Sequence, residues 1–453
     1  MITAQSTRTS KARVRFLTRR ILARARDFRA DKSGSTAVIA AIVFPIVVGG
    51  MGLGAETGYW YLSQRKLQHA ADVSAHAAGA RIRAGDTKTQ IDAAALNIAT
   101  VSGLSTSIGT ILVNTPPVSG SKAGIAGSVE VILTQVHQRL FSSVFSSEPV
   151  TIKTRAVTSM VPHSQACVLA LSPTASGAVT VSGTTNVGLA GCDVASNSNA
   201  MDSFLMSGTS ARLSATCVYA VGEAVTTSTL TLTGVTPPCT KVQTYAPVVR
   251  DPYASVVVPS AIGACQNKTV GTPTGSTTLT PTDNQPSGVK SMRFCNGLDA
   301  KGKVNFLPGL YIIENGDLSI NGGDPNSTST VELTGSNVTF YFRSGGYLKL
   351  TGQAHLTLTA PISGPFSGLL FYGSRTTAGA TQTINGTSGS TLQGAIYMPA
   401  SNVTFTGKSS TTINCTQVIG LTVTFSGNSS LGSSCADAGT STIATNETVE
   451  IVE

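Results

Sequence analysis

Twenty-two consecutive residues without a charge, Gly34 to Ala55, constrain this 453-residue chain more than any other feature. Wound as a helix at ~1.5 Å per residue, they are long enough to cross a ~30 Å hydrocarbon core. A cleaved secretory signal would need a shorter apolar core with a small-residue cleavage site directly after it. Here Glu56 follows, and then Tyr59, Trp60 and Tyr61, which read as an aromatic girdle at a membrane surface. A single uncleaved span is the expectation.

The charge distribution orients that span. Residues 1–33 hold ten Lys and Arg against Asp27 and Asp31, which makes +8 of the formal +9. The positive-inside rule puts this arm in the cytoplasm and everything after Trp60 outside. A nucleic-acid-binding arm is the competing reading, but beside a span such a cluster sets topology. The eight cysteines, Cys167, Cys192, Cys217, Cys239, Cys265, Cys295, Cys415 and Cys435, all fall on the outer side. An even number in an oxidising compartment argues for disulfides. With no C-x-x-C pair and only five histidines, a zinc cluster is not expected.

Beyond the aromatic girdle the helical pattern continues. Leu67, Ala70, Ala71, Ser74, Ala77 and Ala78 recur at helical spacing. Gly50, Gly54 and Gly58 repeat every fourth residue, the small-xxx-small pattern of associating membrane helices. Two readings stand for each stripe. The glycines either face another helix or reflect the general abundance of Gly in membrane helices. The alanines either meet a partner or pack on this chain's own sheet. Both readings describe one long helix that leaves the bilayer and carries a domain on its outer end, as in pilin-like proteins.

Gly34, Glu56, Gly58, Trp60, Leu67, Gln68, Ala70, Ala71, Asp72, Ala75, Ala77 and Ala78 together resemble the N-terminal signature of TadG-like proteins of Tad (tight adherence, or Flp) pilus assembly. That signature is a glycine-led apolar run, an acidic residue before G-x-W/Y, then L-Q-x-A-A-D-x-x-A-x-A-A. The resemblance covers roughly residues 30 to 84. It implies an inner-membrane protein that helps to build or anchor an adhesive pilus, with other pilus assembly membrane proteins or pseudopilins as partners. Prepilins are cut after a glycine that has a glutamate five residues beyond it. Here Ile39 stands five beyond Gly34, so cleavage there is not expected. Some relatives carry a von Willebrand-type metal site that begins D-x-S-x-S. The nearest match, Asp72-Val73-Ser74-Ala75-His76, ends in histidine, so no metal site is expected.

Residues 85–160 combine a helical segment, "TQIDAAALNIA", with alternating strands, "SVEVILTQV" and "PVTIKTRAVTSMV", and read as a small α+β unit. From Cys167 a strand–polar turn–strand motif recurs, as in "VTVSGTTNV", "VELTGSNVTF" and "VTFTGKSSTTI". Gly386, Gly407 and Gly427 are spaced 21 and 20 residues apart, and Gly335 and Gly352 are spaced 17. Self-similarity of this kind marks a solenoid. The expected class is thus α+β: a transmembrane helix extended into a pilin-like stalk with a small α/β unit, then a mainly-β, parallel β-helix-like domain. A β-sandwich is the alternative. The expected divisions are 1–33 (basic arm), 34–84 (span and stalk), 85–160 (α+β unit), 161–239 (first repeats), 240–300 (a loop-rich excursion), 301–437 (further repeats) and 438–453 (tail). Cys415 and Cys435 match the 20-residue step from Gly407 to Gly427 and are expected to pair. Cys167, Cys192 and Cys217, spaced 25 and 25, form a possible column whose pairing is open.

Glu314, Asp317 and Asp324 are the only local acidic group in the repeats. They are candidates for acid–base chemistry or Ca²⁺ binding, although "ENG" and "GDP" are ordinary turn sequences. No nucleophile elbow, phosphate loop or H-E-x-x-H occurs. An enzyme is not expected, nor a cofactor, nucleic acid or small-molecule substrate. Two functions remain: a structural component of a pilus machine in the inner membrane, with a disulfide-bonded periplasmic β-domain, or a membrane-tethered β-helix that binds or cleaves glycans.

Overall fold

The computed structural model describes residues 33–234, 238–321, 331–344, 346–351, 354–377, 381–385, 390–406, 415–432 and 438–453. The basic arm before Ser33, and Asp324, Gly352, Gly386, Gly407 and Cys435, lie outside the described residues. The chain divides into two compact units, one reaching to Ser159 and rejoined by Val449–Glu453, the other Met160–Thr448.

The first unit is built on one long apolar helix. Helix α1, Ser33–Arg83, is 51 residues long and carries Pro45 within it. The turn at Gly85, whose φ is +80°, leads into α2, Lys88–Ser102. At its start the Gln90 side chain accepts the Thr87 N–H at 2.9 Å, filling one of the donors a helix start leaves unpaired. Strands β1 (Gly109–Asn114), β2 (Ser128–His137) and β3 (Val150–Pro162) form an antiparallel meander. The C-terminal strand Glu447–Ile451 completes the sheet beside β3. Of the expected 438–453 tail, Val449–Glu453 therefore belongs to the first unit, far from it in sequence, and the residues before it to the second.

One face of this sheet is apolar by alternation: Val129, Val131 and Leu133 of β2 and Ala156 of β3 are fully buried, as period-two patterning requires. Leu67, Ala70, Ala71, Ser74, Ala75 and Ala78 of α1 are at most 1% exposed. Thr154 and Thr158 donate their hydroxyls to the Leu67 and Ala75 carbonyls at 3.3 and 2.8 Å. A side chain larger than Ala would hold helix and sheet apart. The alanine stripe thus packs within its own chain, and Ile91, Ala95 and Ala99 of α2 are buried too.

The second unit is a mainly-β body whose strands pair in parallel, apart from Asp283–Asn284, which runs antiparallel to Lys290–Phe294. One ladder joins Lys290–Phe294, Gly309–Ile313, Val338–Phe342, Leu369–Gly373, Thr391–Thr406, Thr416–Phe425, Ala166–Ala170, Asp193–Ser196 and Val218–Ala220 in that spatial order. A second runs through Leu298–Ala300, Asp317–Asn321, Tyr347–Thr351 and Gln382–Asn385, then the far ends of the same two long strands, to Val179–Ser182 and Phe204–Ser207. A third is described in two pieces, Ser276–Leu279 to Thr391–Thr406 and Ser429–Gly432 to Leu230–Leu232.

Spatial order is not chain order. Val418 and Ile419 pair with Val168 and Leu169, so the last-formed rungs lie against the first. Residues 244–264 connect one end of the ladders to the other, between the rung at Gln243 and the rung at Cys265. Along that path Asn197 exchanges two 2.8 Å hydrogen bonds with the Val249 backbone. Tyr253 donates to Gln417 at 3.3 Å, and Arg375 to the Val256 carbonyl at 2.9 Å. Only the first part of the expected 240–300 excursion is thus a strap laid across the rungs, whereas Thr269–Val270, Ser276–Leu279, Lys290–Phe294 and Leu298–Ala300 within it are strands of the ladders.

The strap explains the composition of the first ladder. Tyr311, Phe340, Phe371, Ile396, Val418, Val168 and Val194 point into the main core. Their neighbours Ile312, Tyr341, Tyr372, Tyr397, Ile419 and Leu169 point the other way, into a second core closed by Val249 and Tyr253. Strands buried on both faces read as continuous apolar runs, which is why "VTFYF" and "LLFYG" do not alternate. Three disulfides, Cys167–Cys192, Cys217–Cys239 and Cys265–Cys295, have Cα separations of 5.6, 5.6 and 5.4 Å, inside the usual ~4.4–6.8 Å range. Cys217 thus leaves the possible column to pair with Cys239. Cys415 is also disulfide-bonded, and its expected partner Cys435 lies outside the described residues.

Candidate functional site

The most closely built polar site of the first unit lies where α1 stops being apolar. Val38, Ile39, Ile42, Phe44, Ile46 and Met51 are all at least 60% exposed, so this half of the helix has little cover among the described residues, as a bilayer-crossing segment requires. At the end of the run, a short 3-10 turn, Phe141–Val144, closes on the helix. A Cβ on Gly52 would come within 2.5 Å of the Phe141 ring, so only glycine permits this approach.

One turn later Glu56 is only 2% exposed. Its carboxylate accepts the Leu140 and Ser142 backbone N–H groups at 2.7 and 2.6 Å and the Ser142 hydroxyl at 3.0 Å. A buried charge is tolerable only with such donors around it. Tyr59 bonds His137 at 3.3 Å, and the Arg139 guanidinium sits 5.5 Å from the Trp60 ring centroid, within cation–π range. Farther up, Gln68 donates to Asp72 at 2.7 Å and to the Arg155 carbonyl at 3.0 Å. Glu56, Trp60, Leu67, Gln68, the buried alanines and Asp72 therefore each have a structural task within the first unit.

Gly50, Gly54 and Gly58 behave differently. A Cβ at any of them would meet nothing within 4 Å, so among the described residues this stripe is open along its length. Gly52, Phe141, Ser142, His137 and Arg139 escaped the sequence reading. Their meeting depends on a loop returning over 80 residues later, and only the uncharged "LFSSVFSS" hints at it.

On the opposite face of the sheet lies a polar cluster. Glu130, fully buried, takes hydrogen bonds from Asn114, Ser119, Arg155 and the Val118 N–H. Burial opposes its ionisation, but these donors outweigh it and hold its pKa at about 2. Arg155 also bonds Glu453 at 2.5 Å. Hydrogen bonds from Ser121 and then from Arg155 hold Glu453 at about 2 as well.

In the β-body Glu314 is 5% exposed. Arg293 binds one of its oxygens at 2.8 Å and Arg343 the other at 2.8 Å. Burial raises its pKa, yet the two guanidinium partners more than compensate and keep it below the usual carboxylate range. A carboxylate so held is an ion-pair member and a poor proton donor. Asp317 lies three residues on, at the start of the next strand, where it hydrogen-bonds Tyr347. Among the described residues no group of three or more His, Cys, Asp or Glu gathers as a metal site.

Residues 34–81 match the family Tad, "Putative Flp pilus-assembly TadE/G-like". No curated protein and no solved structure matches the chain. The matched segment contains Gly52, Glu56 and Trp60 and ends within α1, just past the buried alanines.

Proposed function

We propose, on the premise that residues 34–81 are a TadE/G-like segment, that the chain is a structural or assembly component of a Tad/Flp-type adhesive pilus. It is held in the inner membrane by α1, with its basic arm cytoplasmic and both folded units in the periplasm. The observation that carries this reading is the use of the helix. Its outer half is the spine of an antiparallel sheet domain, as in a pilin, while its inner half and the Gly50, Gly54, Gly58 stripe remain uncovered. A helix so divided suits lateral packing in a membrane-embedded assembly, with other pilus membrane proteins or pseudopilins as partners.

The body then reads as a parallel β-helix, each coil contributing one strand to each of three ladders. The disulfides support a periplasmic site, since Cys167–Cys192 and Cys217–Cys239 each join neighbouring coils. A strain lacking the gene is expected to lose surface pili and attachment while general secretion continues. Normal piliation in that strain would rule the reading out, and a defect confined to glycan binding or turnover would favour a membrane-tethered glycan-active β-helix.

A further inference from the structure

An apolar loop is fixed at the level of the span itself. Leu140, Phe141, Val144 and Phe145 are 63%, 51%, 85% and 79% exposed, in a stretch with no charge from Leu140 to Ser147. The loop is nevertheless firmly held. The Glu56 carboxylate binds it through three hydrogen bonds, and Arg139 spans it by donating to the Glu148 carbonyl at 2.7 Å and to Ser142 at 3.2 Å.

Its depth follows from Gly52, against which the Phe141 ring packs. Gly52 lies inside the uncharged run, eight residues before Trp60, hence about 12 Å deeper along the helix axis. At that level the neighbours on α1 are Val48 and Met51, 44% and 71% exposed, which face lipid if α1 spans. Phe141 lies at that level, and Leu140, Val144 and Phe145 are exposed in the same short turn. Glu56 fits this placement, because its carboxylate is hydrogen-bonded by the donors of the loop in place of water. Arg139 over Trp60 sits at the height where aromatic rings and cations meet headgroups.

We propose that residues 140–146 insert into the leaflet from which α1 emerges, so that the protein meets the bilayer through a second, interfacial anchor. Insertion to roughly 5–10 Å, as for monotopic segments, would cover all four side chains. The loop then fixes the tilt and rotation of the first unit on the membrane, which a single helix leaves free. This inference rests on the membrane-anchored reading of α1, and its test separates the two.

Trp60 is the only tryptophan, so single-indole variants are made in a Trp60→Phe background. The full-length chain is reconstituted into phosphatidylcholine vesicles whose acyl chains are brominated at both shallow and deep positions, so that an indole at any depth in the hydrocarbon is quenched. Phe145→Trp and Val144→Trp are expected to lose most of their emission, as Phe44→Trp in the span does. Val118→Trp, 70% exposed and next to Ser119, whose carbonyl binds Arg155, is expected to keep it. Emission retained at both loop positions with quenching at Phe44→Trp overturns the insertion and assigns the patch to a protein partner. Emission retained at Phe44→Trp as well overturns the membrane reading of α1.

Discussion

Single residues in this chain are selected by what a long helix needs when it passes from lipid to protein. Gly52 admits an aromatic ring, Glu56 binds two backbone N–H groups, and Ala70 to Ala78 let a sheet approach. Removing the Glu56 carboxylate would leave buried donors unpaired, each costing about 1–3 kcal/mol. Glu130 is the titratable counterpart on the far side of the sheet. Its folded pKa is about 2 against an ordinary 4.5, so the unfolded chain takes up a proton first as pH falls. Its contribution is complete above the ordinary value and is lost as pH drops through that value toward 2. Protection of β2 and β3 amides against hydrogen exchange in the detergent-solubilised chain, corrected for the intrinsic slowing of exchange at acid pH, should fall across this window, and Glu130→Gln should flatten the dependence. An unchanged profile in the variant would show that Glu130 does not control it, leaving Glu453 as the responsible group.

Among the elements, those written in local pattern were legible and those made by return of the chain were not. The uncharged run gave α1, and strict alternation gave β2 and β3 within the expected α+β unit. Recurring strand–turn–strand segments gave a mainly-β body. The strap was legible only as a break in the repeats, since Val249 and Tyr253 carry no signal of which rungs they will cover. Continuous runs such as "GLYII" and "ACVLA" did carry one, because a strand with no polar face must be covered twice. The cysteines were legible as a disulfide set, whereas Cys217 could be assigned to Cys239 only once the rungs were placed. For the remaining pair, Cys415 is fully buried against Ala438, three residues beyond Cys435 in sequence. Peptide mapping of unreduced protein is expected to recover Cys415 joined to Cys435. Recovery of Cys415 on any other peptide would refute that pairing.

At the scale of the whole molecule, the β-body is inserted between β3 and the strand Glu447–Ile451 that completes the same sheet. The first unit therefore depends on the last residues of the chain. Val449 packs where Gly79 leaves room, and Glu453 bonds Arg155 and Ser121. Truncation before Val449 is expected to make the first unit sensitive to protease while fragments of the β-body persist. Equal resistance of both units would argue against this dependence. The permuted order of the rungs bears on how the protein is made. During export from the N-terminus, the edge at Ala166–Ala170 appears early, yet its natural neighbour, Thr416–Phe425, emerges some 250 residues later. Until then an apolar strand edge stands open, the kind of surface that recruits another chain. A circularly permuted body beginning near residue 265 and ending near 264, with the strap at its end, would place every rung in order of synthesis, and should fold with less need of a chaperone.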